Sequence, residues 1–156
     1  MKSRAGVTLL ELTIALAIFS IIAGVILVEL TSDAADRRAL QNAAVRLQAD
    51  MRYAQRRAVM EGRIIYVNFY AEYNRYSIYY EVFDPIRTVD MDVNLFSAGF
   101  GPHNAWNETH FLPRGTSGRS GTIALRNGNL EVQITVLISG GQVRIGDILP
   151  LTTPLN

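Results

Sequence analysis

From Leu12 to Val28 the chain holds no charged residue, and this stretch limits most what the protein can fold into. Counted from Val7, the apolar run is about 22 residues, roughly 33 Å of helix at ~1.5 Å per residue. The hydrocarbon core of a bilayer is about 30 Å thick, so the run has spanning length. Lys2 and Arg4 stand ahead of it. Basic residues before an apolar helix hold that end in the cytoplasm and send the rest of the chain outward. Two residues do not suit a plain anchor. Gly6 separates the basic residues from the apolar run, and Glu11 lies inside it. An ionised carboxylate at the centre of a lipid-facing helix costs on the order of 3 kcal/mol.

An ordinary secretory signal is shorter and ends in a small-residue cleavage site. Nothing like Ala-x-Ala follows Val28; the chain runs on through "ELTSDAADRRALQNAAVRLQADMRYAQRRAVMEG" without a turn residue before Gly62. A cut near Gly6 would therefore leave the helix in the mature protein.

The stretch "AGVTLLEL" (Ala5 to Leu12) resembles the class III signal of type IV pilins and type II secretion pseudopilins. The resemblance implies a short basic leader ending in glycine, cut by a prepilin peptidase that also methylates the new N-terminal amine. Gly6 matches the cleavage residue, Val7 the methylated N-terminus and Glu11 the acidic residue at the fifth mature position. Val7 departs from the pattern, since the family more often carries Phe or Met there. The resemblance also supplies a reason for Glu11. A buried amine at Val7 needs a counter-charge, and two buried charges that pair are tolerable where either alone is not. The alternative is a plain signal anchor with Glu11 near enough to the interface to reach water.

Beyond Leu30 the period stays helical. Leu40, Ala43, Ala44, Leu47, Met51, Ala54 and Ala58 recur at three- and four-residue steps and form one apolar stripe. Asp33 and Asp36 precede arginines at spacings that loosely favour pairing within the helix, and Gly62 is a suitable stop. After Gly62 the period becomes two. Ile65, Val67, Phe69 and Ala71 share one side of a strand; Tyr76, Ile78, Tyr80 and Val82 share one side of the next, with "EYNR" as the turn. Residues Asp84 to Gly121 show no regular pattern and read as a long loop. From Thr122 the alternation returns: a strand, a turn at Asn127-Gly128, a long strand through Leu130, Val132, Ile134, Val136 and Ile138, a turn at "SGG", a short last strand and a loose tail.

The expected fold class is α+β and pilin-like. A long N-terminal helix, transmembrane in its first half, packs through its second half on an antiparallel β-sheet or sandwich head. The segments are a leader (1–6), a transmembrane or filament-core helix (7–28), an amphipathic second half (29–62), a β-rich head (63–149) and a tail (150–156). Phe111 to Gly115, Thr122 to Ile138 and Ser139 to Ile145 also resemble the C-terminal half of the GspH/FimT group of minor pseudopilins and minor pilins. That resemblance implies a minor subunit of a type II secretion or type IV pilus filament. Its partners would be other pilin or pseudopilin subunits, the prepilin peptidase, the membrane and, indirectly, an assembly platform and its ATPase. The implied location is the inner (cell) membrane, single-pass, with the N-terminus cytoplasmic and the head outside, then an extracytoplasmic filament.

The 156 residues suit one domain with a real core. The absence of cysteine rules out disulfides and thiolate chemistry. No Ser-His-Asp spacing, metal motif or phosphate loop appears, so neither an enzyme nor a cofactor is expected. His103 and His110, with Asp90 or Asp92, match no metal-ligand spacing, and "GTSGRSG" lacks the lysine of a phosphate loop. Seven arginines lie between Arg37 and Arg63, opposed only by Asp50 and Glu61. Arg52, Arg56, Arg57, Arg126 and Arg144 are the candidate contacts to DNA or to a partner subunit. The alternative function they raise is a DNA-binding minor pilin of a competence pilus. With Lys2 and Arg4 removed, thirteen basic side chains face fourteen acidic ones, whereas DNA binders usually keep a basic excess.

Overall fold

The computed structural model describes residues 9–80 and 85–151, with the backbone alone over 23–32. Gly6, Val7, Val82 and the tail beyond Leu151 lie outside the described residues. The chain divides into two compact units, Met1–Ala35 and Asp36–Asn156.

The helix α1 runs Leu9–Glu61, and from Leu9 to Ile22 it exposes its large apolar side chains. No helix is long and apolar enough to cross a membrane among the described residues; the expected span, 7–28, extends at both ends into residues whose side chains are not described. In the second unit the stripe is as expected. Leu40, Ala44, Leu47, Met51, Ala54 and Ala58 are fully buried and Ala43 packs beside them. The three alanines let the helix backbone approach the sheets. Gly62, at φ +65°, ends α1 in the left-handed conformation that only glycine adopts without strain.

The head holds two antiparallel four-stranded sheets. The first has the order β3-β2-β1-β5, from β1 (Ile65–Tyr70), β2 (Arg75–Tyr79), β3 (Pro85–Asp90) and β5 (Glu108–Phe111). The second has the order β4-β6-β7-β8, from β4 (Asn94–Phe100), β6 (Gly121–Asn127), β7 (Leu130–Val136) and β8 (Val143–Pro150). Both sheets and the α1 stripe enclose one core, in which Phe69 of the first sheet meets Phe100 of the second at 5.6 Å between ring centres. Among the described residues, every buried core residue lies between Leu40 and Val143. Residues 36–156 therefore carry a complete core of their own and form an independently folding head.

The segment read as a long loop contains β3, β4 and β5. Alternation failed there for a physical reason. β3 buries only Val89, β5 buries the polar Thr109, and a register shift in β4 between Leu95 and Ser97 puts Leu95 and Phe100 on the core side five residues apart. The register also shifts between Ile78 and Tyr79, and β2 ends there; Tyr79 is buried where it stacks on Tyr66, ring centres 5.5 Å apart, and Tyr80, just past the strand, packs against the core as expected. β7 ends at Val136 and Ile138 is exposed, while the last strand, expected to be short, continues to Pro150. Leu151 N–H then donates to Asn129 O at 2.8 Å.

The outer strands are engaged at several points by the rest of the head. Leu95 N–H donates to Asn74 Oδ1 and Phe100 N–H to Trp106 O, both at 2.8 Å, along β4. The 116–118 loop folds onto β5, where Gly118 N–H donates to His110 O at 2.8 Å. From α1, Gln48 donates to Val143 O at 2.8 Å and Arg37 to Ile148 O at 3.5 Å, both on β8. β3 begins with Pro85, which has no N–H, and ends at Asp90, ion-paired to Arg75.

Candidate functional site

Two regions bear on function, one in each unit. In the first, Leu9, Leu10, Leu12, Ile14, Leu16, Ile18, Phe19, Ile21 and Ile22 are all at least half exposed. So large a continuous apolar surface marks contact with lipid or with another protein. The hydroxyls here are satisfied within the helix: Thr13 donates to Leu10 O and Ser20 to Leu16 O, each at 2.8 Å. That back-bonding lets a hydroxyl sit in an apolar environment. Glu11 lies on this stretch of α1, between Leu10 and Leu12.

In the head, the five candidate arginines separate into two sets. Arg57 donates to Glu61 at 2.6 Å and to the Tyr53 hydroxyl at 2.5 Å, and lies over the Tyr80 ring. Glu61 is held below the usual carboxylate range by the Tyr80 hydroxyl and then by Arg57. Arg126 donates to Glu131 at 2.7 Å and stacks on Phe96. Glu131 is likewise lowered, by Gln133 and then Arg126. These two arginines are occupied by their own head.

Arg52, Arg56 and Arg144 come together instead. With Gln55, Gln142, Val143 and the Gly140–Gly141 backbone they line an open depression of about 600 Å³ between α1 and the start of β8. No Asp or Glu lines it, and among the described residues none of the three forms an ion pair. Sequence reasoning named the arginines but not Gln55, which fixes the wall. Its Nε2 donates to Gly115 O at 2.6 Å and to Gly140 O at 2.9 Å. A polar residue beside an arginine on a helix gives no sequence signal of that role.

Other expected residues fall elsewhere. Asp36 accepts from Asn127 Nδ2 at 3.1 Å and Arg37 reaches Ile148 O, so both serve the head rather than pairing along the helix. His103 sits in a turn, Pro102–Asn104, and His110 on β5. Among the described residues no group of three or more His, Asp and Glu could hold a metal ion.

Comparison with known proteins agrees with this architecture. Residues 1–27 match the prokaryotic N-terminal methylation motif, and residues 43–141 match the family of type II transport protein GspH. No curated protein matches the chain in sequence. Among solved structures, the type IV minor pilin FimU of Pseudomonas aeruginosa is similar in two crystal forms at 21% identity, with TM-scores of 0.52 and 0.54. Those matches cover 69% and 71% of this chain and 93% and 90% of the FimU chains. The minor pseudopilin EpsH from the type 2 secretion system of Vibrio cholerae is similar at 11% identity, covering 68% of this chain and 94% of that one, with a TM-score of 0.52. These likenesses show a shared fold. The methylation motif, the helix-on-two-sheets head and the match to more than half of the sequence together establish that the chain belongs to the GspH family of pilin-like minor pilins and pseudopilins.

Proposed function

We propose that the protein is a minor subunit of a type II secretion or type IV pilus filament, made as a precursor and cut between Gly6 and Val7. The observation that carries this is the methylation motif over residues 1–27, continued by the exposed apolar side chains from Leu9 to Ile22. The cut frees a positive amine at Val7, which the peptidase methylates. Glu11 meets the amine of an adjacent subunit and sets its register, because an apolar filament core tolerates the two charges only as a pair. Before assembly the helix anchors the chain in the cell membrane, with Lys2 and Arg4 inside and the head outside. The chain catalyses nothing; it is the substrate of the peptidase.

Intact mass of the membrane-extracted protein, made with and without a prepilin peptidase, tests the reading. Peptidase-dependent loss of Met1 to Gly6 with one added methyl group is the expected result. An unchanged N-terminus in both samples would reduce the segment to a plain anchor. Gly6→Leu should leave the precursor uncut, since a bulky side chain obstructs close approach of the scissile backbone.

The DNA-binding alternative is the weaker reading. Arg57 and Arg126 are neutralised by Glu61 and Glu131, and a track for a polyanion needs a continuous basic groove.

A further inference from the structure

We propose that the depression between Arg52, Arg56 and Arg144 receives a carboxylate-bearing segment of a neighbouring subunit, an inference that rests on the filament reading above. Arg52 and Arg56 stand one turn apart on the exposed face of α1, and Arg144 faces them from β8. Their internal contacts are to neutral oxygens. Arg56 Nε reaches Arg52 O at 3.4 Å, and Arg144 Nη2 reaches Gln142 Oε1 at 3.1 Å. Three guanidiniums around one hollow repel one another, and a planar carboxylate that accepts two parallel N–H bonds relieves that repulsion.

The hollow is built before anything enters it. Gln55 ties the 139–141 turn and the Gly115 backbone to α1, and Gln48 ties down Val143. Gly141 has φ +57°, and a Cβ there would stand 2.6 Å from Gln55 Nε2 and 2.7 Å from Gly115 O. Only glycine lets the turn close to this distance. A wall held this way loses little freedom when an occupant binds.

A short acidic segment fits better than a nucleic acid. The volume, about 600 Å³, suits a few side chains. The other two candidate arginines of the head are paired, so no basic track leads away through them. The mature chain also lacks the basic surplus that holds a polyanion at moderate salt.

The test has two arms. In the first, the purified head, 36–156, is titrated with a short fluorescent polyglutamate peptide, with polylysine and a single-stranded oligonucleotide as comparisons. Saturable polyglutamate binding is expected. The combined Arg52→Gln, Arg56→Gln and Arg144→Gln variant should weaken it about tenfold or more, with its melting curve unchanged. Arg75→Gln, which alters the exposed pair with Asp90, should bind as the parent does. No polyglutamate binding, equal binding by the triple variant, or oligonucleotide binding that polyglutamate cannot displace would each overturn the proposal. In the second arm, the full chain is followed in sheared filaments from cells with a prepilin peptidase. A several-fold lower level of the triple variant is expected. Equal levels of variant and parent would overturn the docking site and leave the filament reading standing. Absence of the parent itself would remove both.

Discussion

The Tyr76 hydroxyl donates to Asp50 Oδ2 at 2.5 Å, tying β2 to the buried face of α1. Arg87 Nη1 on β3 closes the other oxygen at 2.6 Å. Asp50 is 6% exposed, so the cluster is a polar rivet through an apolar wall. Burial, and then the Asp50 hydrogen bond, push the Tyr76 phenol far above its ordinary range. Tyr76→Phe should cost the head about 1.5–3 kcal/mol, as expected for a hydrogen bond to a charged acceptor. Asp50→Ala should cost more, because the Tyr76 hydroxyl stays buried without its acceptor. Arg87→Gln should cost about 1–3 kcal/mol and less than Asp50→Ala: the Arg87 side chain is 46% exposed, but the Asp50 side chain opposite it is only 8% exposed and keeps its charge when the cation is lost. Urea midpoints of the three variants check the order; equal costs for Arg87→Gln and Asp50→Ala would contradict it.

Gly141 and Gly62 separate strain from crowding. Both have positive φ, but an added Cβ at Gly62 meets nothing within 4 Å. Gly62→Ala should cost only the left-handed penalty, about 1–2 kcal/mol. Gly141→Ala should cost clearly more and displace the Gln55 amide. Thermal melts of the head, with amide resonances of Gln55 as the local readout, distinguish the two.

The His110 ring packs against Tyr66, with centres 5.5 Å apart, and its Nδ1 is buried without a hydrogen-bond partner. Burial, and then the nearby Arg119 charge, lower its pKa from the usual imidazole value; Glu108 opposes this less strongly. Between the folded and unfolded values the unfolded chain binds more protons, so stability rises with pH there. The His110 contribution is fully present above about pH 6.5 and is lost as pH falls through the folded value. The head should therefore melt at lower temperature at about pH 5 than at about pH 7.5, and His110→Gln should flatten part of that difference. An identical pH profile in the variant would assign the effect to other groups.

Glu11→Ala should leave precursor cutting intact and reduce incorporation into filaments. Mass spectrometry reads the first and the sheared fraction reads the second. Normal incorporation would remove Glu11 from assembly.

The α1 stripe was legible because a helix against sheets repeats its contacts at three and four residues, and all six of its fully buried members follow that step. The hairpin at Asn127-Gly128 was legible because Gly128 takes φ +54° in the turn joining β6 and β7. The stretch containing β3, β4 and β5 was not, since irregular register and one-residue burial erase alternation. Three of the five candidate arginines share a hollow, but the sequence could not separate them from the paired ones. Whether an arginine meets a carboxylate depends on strand register: Arg126 faces Glu131 across the β6–β7 hairpin.

The protected sheet margins have a consequence for a chain whose family assembles with other pilin-like subunits. An exposed strand edge invites backbone pairing with the next molecule and, from there, amyloid-like stacking. Asn74 and Trp106 on β4, the 116–118 loop on β5, Gln48 and Arg37 on β8, and the proline that opens β3 each interfere with that pairing. Edge-to-edge backbone pairing is thereby disfavoured, which leaves association to the exposed apolar helix and to side-chain contacts on the head, so crowding favours an ordered polymer over a precipitate.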